Sequence, residues 1–380
     1  MHLKLWPLAG LVVVQVFLGL AHWFLYQTWS TFWGPFTPAH ASTLKIALAL
    51  LAFSFVLASL LSFRFAARVV SGIYWLAAVW LGFFNFLFWA ACLSWLVWFA
   101  CSAALPAPAL TLVQPWICAL LSGAAVVAGL WGMVNARWIR VRRIPVSLAD
   151  LPQHWHGRKA LLLSDLHLGP INGVAFAERV VRMANQLAPD VVFIPGDLFD
   201  GTQARISELL APFRQLRAPH GVYFSTGNHD EFGNMDLYAA AIEEAGIRVL
   251  DNEATVVDGL AVIGIGFADA NLPLRMKSIL QKLRPQPGMA SVLLNHVPTR
   301  LPLAEEAGIG LQLSGHTHAG QIFPFTWITR RVFGRFTHGL AYYGSMAVYT
   351  STGAGAWGPP MRVGTQPEMV LIHLESPAAQ

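Results

Sequence analysis

The sequence predicts an α/β domain preceded by an all-α transmembrane region. Three observations carry this. First, 55% of the chain is hydrophobic and only 12% charged, which is too greasy for a single soluble protein. Second, that imbalance is local. From Met1 to Arg137 there is no Asp or Glu, and the only formal charges are Lys4, Lys45, Arg64, Arg68 and Arg137. Third, beyond Arg137 apolar strand-like runs alternate with helical patterns, the order expected of an α/β sheet.

The N-terminal part, 1–137, is read first. A helix of about 20 apolar residues crosses a hydrocarbon core. Residues 8–27, 43–63, 69–103 and 110–134 reach that length, so four spans are predicted. Trp6, Trp23 and Tyr26 are the interface anchors of the first. Residues 69–103 are long for one span and short for two with a turn, and are read as a single tilted or partly interfacial helix. The connections alternate between bare (Thr28–Ser42, Leu105–Ala109) and basic (Lys4, then Arg64 and Arg68, then Arg137 onward). By the positive-inside rule that places the N-terminus and the large C-terminal part in the cytoplasm. A cleaved signal peptide is the alternative for the first segment, with Ala39-His40-Ala41 as its site, but the apolar run is too long and the site too far beyond it. His22 and Gln15 read as isolated polar groups that trace no transport path, so the job expected of this half is anchoring.

The net charge of +5 falls in this half, and the remainder is balanced. The basic pI is therefore no argument for a nucleic-acid partner. All three cysteines, Cys92, Cys101 and Cys118, are in the apolar half, so the rest of the chain has no disulfide and no Cys-bound zinc.

In the C-terminal part, 138–380, the expected elements follow in order. Arg140, Arg142 and Arg143 alternate with Ile139 and Val141 as the outer face of a first strand, Trp138–Leu148. Strands are expected at Lys159–Ser164, Asp190–Pro195, Gly221–Thr226, Val249–Leu250, Leu260–Phe267, Ala290–Asn295, Leu311–Ser314, Ala347–Ser351 and Glu368–Leu374. Helices are expected at Val174–Leu187, Ile206–Leu216, Leu237–Ala245 and Leu301–Ala307.

Five of those strands end in a cluster of Asp, Asn or His. They are Asp165-x-His167, Gly196-Asp197-x-x-Asp200, Gly227-Asn228-His229-Asp230, Asn295-His296 and Gly315-His316-Thr317-His318. Ligands of open α/β sheets gather beyond the carboxyl ends of strands. The donors are carboxylate, imidazole and amide oxygen, a set that suits Mn²⁺, Fe²⁺ or Zn²⁺. There are more of them than one ion needs. Two ions about 3.5–4 Å apart form a clamp for in-line attack on phosphorus. His154, His156, His220, His338 and His373 stand outside these clusters and are read as ordinary structural or surface residues.

With all five motifs in order, the chain from Trp138 to Leu374 resembles the calcineurin-like metallophosphoesterases. More narrowly it resembles their membrane-bound bacterial branch, the YkuE-like proteins and transmembrane proteins with a metallophosphoesterase domain. The wording Ser164–Gly169, Ala319-Gly320-Gln321 and Pro360-x-Arg362 followed by Pro367-Glu368 supports that branch. The resemblance implies a four-layer α/β/β/α sandwich. It implies that Asp165, His167 and His318 hold one divalent ion, that Asn228, His296 and His316 hold a second, and that Asp197 bridges them. His229 would not ligate but would pass a hydrogen bond or proton to the phosphate or leaving oxygen, with Asp230 orienting it and Asp200 supporting the ligands. The ions would bring the pKa of the attacking water towards ~7. One departure is Ala319, where the branch usually has Gly; it removes no ligand.

After His318, the stretch 323–336 mixes Phe323, Phe325, Trp327, Ile328, Val332, Phe333 and Phe336 with Arg330, Arg331 and Arg335. It reads as a lip facing lipid, or as an ordinary loop packed over the domain. Relatives in the superfamily cleave UDP-2,3-diacylglucosamine in lipid A synthesis, which makes a lipid-linked phosphodiester or pyrophosphate the candidate substrate. A general phosphodiesterase or phosphatase acting on soluble substrates, and a non-catalytic metal-binding membrane scaffold, are the alternatives. The expected setting is the bacterial inner membrane, as a multi-pass protein with its catalytic part in the cytoplasm.

Overall fold

The computed structural model describes residues 5–202, 205–232 and 235–377, without the side chains of 5–9 and 235–237. Lys4 lies outside the described residues, as does the side chain of Trp6. The chain divides into two compact units, Met1–Val134 with Pro359–Met361, and Asn135–Gly358 with Arg362–Gln380.

The first unit is four helices, α1 (Leu5–Trp33), α2 (Pro38–Arg64), α3 (Arg68–Ala104) and α4 (Ala107–Ala136). All four are long and apolar enough to cross a membrane. Residues 69–103 belong to one uninterrupted helix of 37 residues. At 1.5 Å per residue it is far longer than a ~30 Å hydrocarbon core. α2 starts where Thr37 accepts the His40 N–H and Pro38 fills the first turn. The bundle is apolar on its outside as well as inside, with Leu50, Leu112, Leu120 and Val127 exposed. An all-round apolar helix is the pattern of a membrane span.

His22 and Gln15 are not isolated, contrary to expectation. The His22 ring accepts from Trp80 Nε1 at 3.0 Å, faces the Leu18 carbonyl at 2.8 Å, and stacks on Phe84 at 3.7 Å. Gln15 donates to the Ala52 carbonyl and Trp95 to Thr28. His22, Gln15 and Thr28 therefore tie α1 to neighbouring helices. Where water is absent, an unpaired polar group is costly and such pairs are the available remedy.

The second unit is built on two six-stranded sheets. The first contains β1 (Arg140–Ser147), β2 (Lys159–Leu162), β3 (Val191–Pro195), β4 (Val222–Ser225), β5 (Arg248–Val249) and β12 (Glu368–Glu375), in the order β1-β12-β2-β3-β4-β5. The second contains β6 (Glu253–Val257), β7 (Leu260–Gly264), β8 (Ser291–Leu294), β9 (Leu311–Ser314), β10 (Gly339–Tyr343) and β11 (Met346–Thr350), in the order β10-β11-β9-β8-β7-β6. β2 to β5 run parallel, as do β7, β8, β9 and β11, while β12, β6 and β10 each make an antiparallel pair.

The helices are α5 (Val174–Leu187), α6 (Ile206–Leu210), α7 (Met235–Glu244), α8 (Phe267–Ala270), α9 (Pro273–Lys282), α10 (Leu301–Glu306) and α11 (Phe325–Phe333). Alternation along each strand sorts the side chains into layers. Leu161, Leu163, Val192 and Ile194 face α5 to α7. Ala160, Leu162, Val191 and Phe193 meet Val262, Val292, Leu294 and Leu313 between the sheets. Ile263, Leu293 and Val348 face α9 and α10. This is the four-layer α/β/β/α arrangement that the resemblance implied. Because both faces of each sheet are covered, the strands read as continuous apolar runs.

α5 shows how one element is specified. Ala177, Val180, Val181 and Ala184 recur at helical spacing and are buried. Ala188 ends the helix in a left-handed conformation, and Pro189 cannot continue it. The arginines of β1 are strand residues on an edge, as expected, and Arg142 lies 3.7 Å from Glu368 of β12.

Candidate metal centre

The carboxyl ends of β2, β3 and β4 in one sheet and of β8, β9 and β11 in the other carry the loops that hold the clustered side chains. Main-chain bonds fasten these loops to one another. Asp165 N donates to Gly196 O, His167 N to Asp197 O, Gly315 N to His296 O and Gly355 N to Asp165 O. Glycines sit where side chains must converge. A Cβ on Gly227 would run into the Asp197 carboxylate, and one on Gly315 into Asp165 and the Ser164 hydroxyl.

Several ligand candidates have backbones in the left-handed region, with φ of 52° at Asp165, 45° at His167, 52° at Asp197, 68° at His316 and 46° at His318. Non-glycine residues rarely adopt it, and strain of this kind clusters at functional sites.

Three groups of donors converge among the described residues: Asp165, His167 and His318; His167, Asp197 and His229; Asp197, His296 and His316. Within each group the ligand atoms lie within 4.8 Å of one another. Ligands ~2.1 Å from one ion stand roughly 3–4.3 Å apart, so the spacing suits a cation. Asp197 belongs to two of the groups. Its Oδ2 lies 3.2 Å from His296 Nε2 and 3.6 Å from His167 Nε2. Asp165 Oδ1 is 3.6 Å from His318 Nε2, and Asn228 Oδ1 is 2.9 Å from the His316 ring. The structure thus brings together Asp165, His167, Asp197, Asn228, His296, His316 and His318.

The electrostatics suit metal ligands. Burial pushes the pKa of His167 and His318 well below the ordinary value, and that of His316 to about 4, helped by neighbouring positive groups. Their lone pairs are therefore free at neutral pH. Burial opposes ionisation of Asp197, but His296 and the neighbouring imidazoles overcome this and hold its carboxyl well below the usual range. His296 is raised to about 9, since Asp197 outweighs the effect of burial. The Nε2 atoms of His167 and His318 face each other at 2.9 Å. Two neutral imidazoles pointed nitrogen to nitrogen beside two carboxylates form a set that divalent cations fit.

The sequence of residues 158–320 matches the calcineurin-like phosphoesterase family. This part of the chain is a calcineurin-like metallophosphoesterase domain. A zebrafish (Danio rerio) transmembrane protein with metallophosphoesterase domain is 33% identical over 66% of this chain and 60% of its own length. An uncharacterized metallophosphoesterase of Helicobacter pylori is 30% identical over 62% of this chain and 64% of its own length. The uncharacterized metallophosphoesterase YkuE of Bacillus subtilis is 28% identical over 68% of this chain and 94% of its own length. The chain thus spans less than two thirds of the zebrafish and Helicobacter relatives.

Two supporting roles in the metallophosphoesterase domain differ from expectation. The His229 ring is held by the main-chain carbonyl of Asp200, 3.0 Å from Nδ1. A carbonyl only accepts, so Nδ1 carries the proton and Nε2 is left free. Asp230 does not orient this ring. Its carboxylate accepts the N–H groups of Asp197 and Gly227 at 2.8 Å and of Phe199 at 2.9 Å, so it shapes the turns beneath the ligands. The Asp200 carboxylate accepts from Thr202 and so braces its own loop.

Asn172, Trp357 and Phe232, which the sequence did not mark, and Phe333 of the 323–336 stretch complete the site. Asn172 donates to the carbonyls of Leu166, His167 and Ala356. Trp357 and Phe232 pack on the His229 ring at 5.0 and 5.2 Å, and Phe333 meets His316 edge-on at 6.2 Å. No spacing rule marks an aromatic as part of a rim. His154, between β1 and β2, and His220, just before β4, lie outside the site and meet Asp258, His154 at its carbonyl and His220 at 3.2 Å from its carboxylate.

Ala319 has φ 47° and ψ 29°, a left-handed position without a glycine. L-residues there cost roughly 1–2 kcal/mol, and glycine gives back about 0.4–1 kcal/mol through the unfolded chain. Ala319→Gly is therefore expected to stabilise the domain by roughly 0.5–1 kcal/mol. A thermal melt in one detergent, with an apparent midpoint a few degrees higher, checks this; a lower midpoint contradicts it.

Proposed function

We propose that this chain is a membrane-anchored, two-metal phosphoesterase, with 1–137 as the anchor and 138–380 as the catalytic part. The observation that carries the reading is the position of Asp197 between His167 on one side and His296 and His316 on the other. Asp165, His167 and His318 would hold one divalent ion, and Asn228, His296 and His316 the other, with Mn²⁺, Fe²⁺ or Zn²⁺ suiting the donors. When bound, the ions supply Lewis acidity towards the phosphoryl oxygens and a water of lowered pKa.

The chain's own residues supply the rest. Burial lowers the pKa of His229 and leaves the ring neutral, with Nε2 free of the bond that Nδ1 makes to Asp200. An anionic phosphoryl group arriving beside it raises that pKa, so the ring takes up a proton and passes it to the leaving oxygen. Asp200 fixes the tautomer, and Phe232 and Trp357 hold the plane of the ring. His229→Ala is expected to lower kcat by roughly 10²–10⁴-fold on a chromogenic phosphodiester with Mn²⁺, while the bound metal per chain is unchanged. Full activity in the variant would remove His229 from the proton path, and no turnover by the wild type with metal present would favour the metal-binding scaffold.

A substrate with an apolar portion fits the aromatic rim and the apolar helices of the same chain, so a lipid-linked phosphodiester or pyrophosphate is favoured over a soluble one. UDP-2,3-diacylglucosamine and lipid A synthesis gain nothing from the relatives named above, and the proposal stays with the wider class. The basic residues Arg64 and Arg68 favour a cytoplasmic catalytic part in the bacterial inner membrane. A fluorescent reporter fused after the last residue, of a kind that matures only in the cytoplasm, should light up; a dark fusion of normal abundance would reverse the orientation.

A further inference from the structure

α11 has its amphipathic pattern turned inside out. A surface helix on a soluble domain sends its apolar stripe inward. Here Phe325, Ile328 and Val332, on one face at i, i+3 and i+7, are 48%, 55% and 68% exposed, and Trp327 is 70% exposed. The partly buried positions include Thr326 and Thr329, and no residue of the helix is fully buried. The segment is an ordered helix, which replaces the expectation of a loop packed over the domain.

The charge around it has one sign. Arg330 and Arg331 close the helix and Arg335 follows. No acidic residue occurs between Glu306 and Glu368. Exposed apolar residues combined with arginines and no carboxylates complement an anionic lipid surface: acyl chains for the ridge and headgroup phosphates for the guanidinium groups. Only Arg137, Trp138 and Ile139 separate α4 from β1, so the unit carrying α11 is on a short tether to whatever bilayer α4 crosses.

The helix is also joined to the site. The His318–Gly320 turn packs against its start, where a Cβ on Gly320 would strike Phe325 and Thr326, and Phe333 at its far end meets the His316 ring. We propose that α11 is an interfacial docking helix. It lays Phe325, Ile328 and Val332 into the acyl boundary of an anionic bilayer, sets its arginines among the headgroups, and so presents the mouth beside His316 to phosphoesters held in that bilayer. The substrate half of this statement rests on the phosphoesterase reading; the docking half does not.

The test uses the full chain in nanodiscs, with Cys92, Cys101 and Cys118 replaced by alanine and one environment-sensitive fluorophore on Ile328→Cys. A second preparation carries it on Leu274→Cys, at a position of α9 that is 85% exposed. The bilayers are phosphatidylcholine alone or with about a third phosphatidylglycerol. In the anionic discs the label at 328 should shift to the blue. It should be quenched about twofold or more by doxyl lipids and lose its access to iodide, while the label at 274 stays in water. Combining Arg330→Glu, Arg331→Glu and Arg335→Glu should return the 328 label to water. A 328 label as open to iodide as the 274 label in anionic discs would overturn the proposal, and so would one shielded from iodide yet untouched by doxyl lipids. Turnover of a chromogenic phosphodiester by the same wild-type discs reports separately on the phosphoesterase reading. An inserted label on an inactive enzyme removes the activity and keeps the docking; a wet label on an active enzyme does the reverse.

Discussion

Asp197→Asn is expected to lower kcat/KM on a phosphodiester by at least about 10³-fold and to remove the rise in melting temperature that Mn²⁺ gives the wild type. The effect is large because one carboxylate serves several neighbours. Its Oδ2 faces His296 and His167, and its Oδ1 accepts the His229 N–H at 2.9 Å. Asparagine keeps the size and can keep that last bond. It loses the negative charge, and its NH₂ group is a donor that cannot ligate. A divalent ion placed between imidazoles would then be held mostly by neutral groups. Metal analysis should show the stoichiometry falling from two per chain to one or none, and the metal-dependent part of the stability should fall with it. Retention of both ions and of the Mn²⁺-induced rise by Asp197→Asn would mean that Asp197 does not bridge, and the two-metal reading would fail with it.

How far this site could be read without coordinates depended on which atoms make the contacts. Asp165, His167, Asp197, Asn228, His296, His316 and His318 act through side chains placed directly after apolar strands, and both signals are written in the residue types. The reason for the motif glycines was not visible, since only the fold shows that a Cβ on Gly227 or Gly315 would strike a carboxylate. The layer order came from the family resemblance, and the strands apolar on both faces agree with it. Contacts made by main-chain atoms left no such trace. The bond from the His229 ring goes to a carbonyl of Asp200, and Asp230 accepts from three backbone N–H groups, so the pairing that the resemblance implied does not occur. Elements with little core to cover were also missed. β6 exposes Glu253, Ala254 and Val256, and α9 buries only Met276 and Leu280, so neither has much period to detect. The helical form of α11 was not read from 323–336, because its apolar residues do not point at the core.

Arg362 shows the same limit, and it carries the second large prediction. The tail Pro360-x-Arg362 could be recognised as a motif, but its partners lie far away in sequence. The guanidinium is fully buried, donates to the His318 carbonyl at 3.0 Å and the Gly355 carbonyl at 2.5 Å, and lies 2.9 Å from His318 Nδ1. Burial lowers its pKa to about 10, opposed by Asp165 and Glu368, so it stays charged at neutral pH. These bonds fix the His318 main chain, and the ring stands with its Nε2 edge towards His167 and Asp165. Arg362→Met removes the fork that joins the His318 turn to the Gly353–Gly355 turn and leaves buried carbonyls unpaired. Each such carbonyl costs roughly 1–3 kcal/mol. The expected loss is roughly 3–5 kcal/mol of stability, with metal affinity weakened by about 10–100-fold in whatever fraction folds. Arg362→Lys keeps a charge but reaches fewer of these acceptors. It should therefore recover part of the stability while the affinity for metal stays low, because a single ammonium cannot hold both turns at once. Denaturant melts without metal, alongside a Mn²⁺ titration of each variant, separate the two effects. A lysine variant that restored both in full would show that only the charge of Arg362 matters, and the positional account of His318 would have to be abandoned.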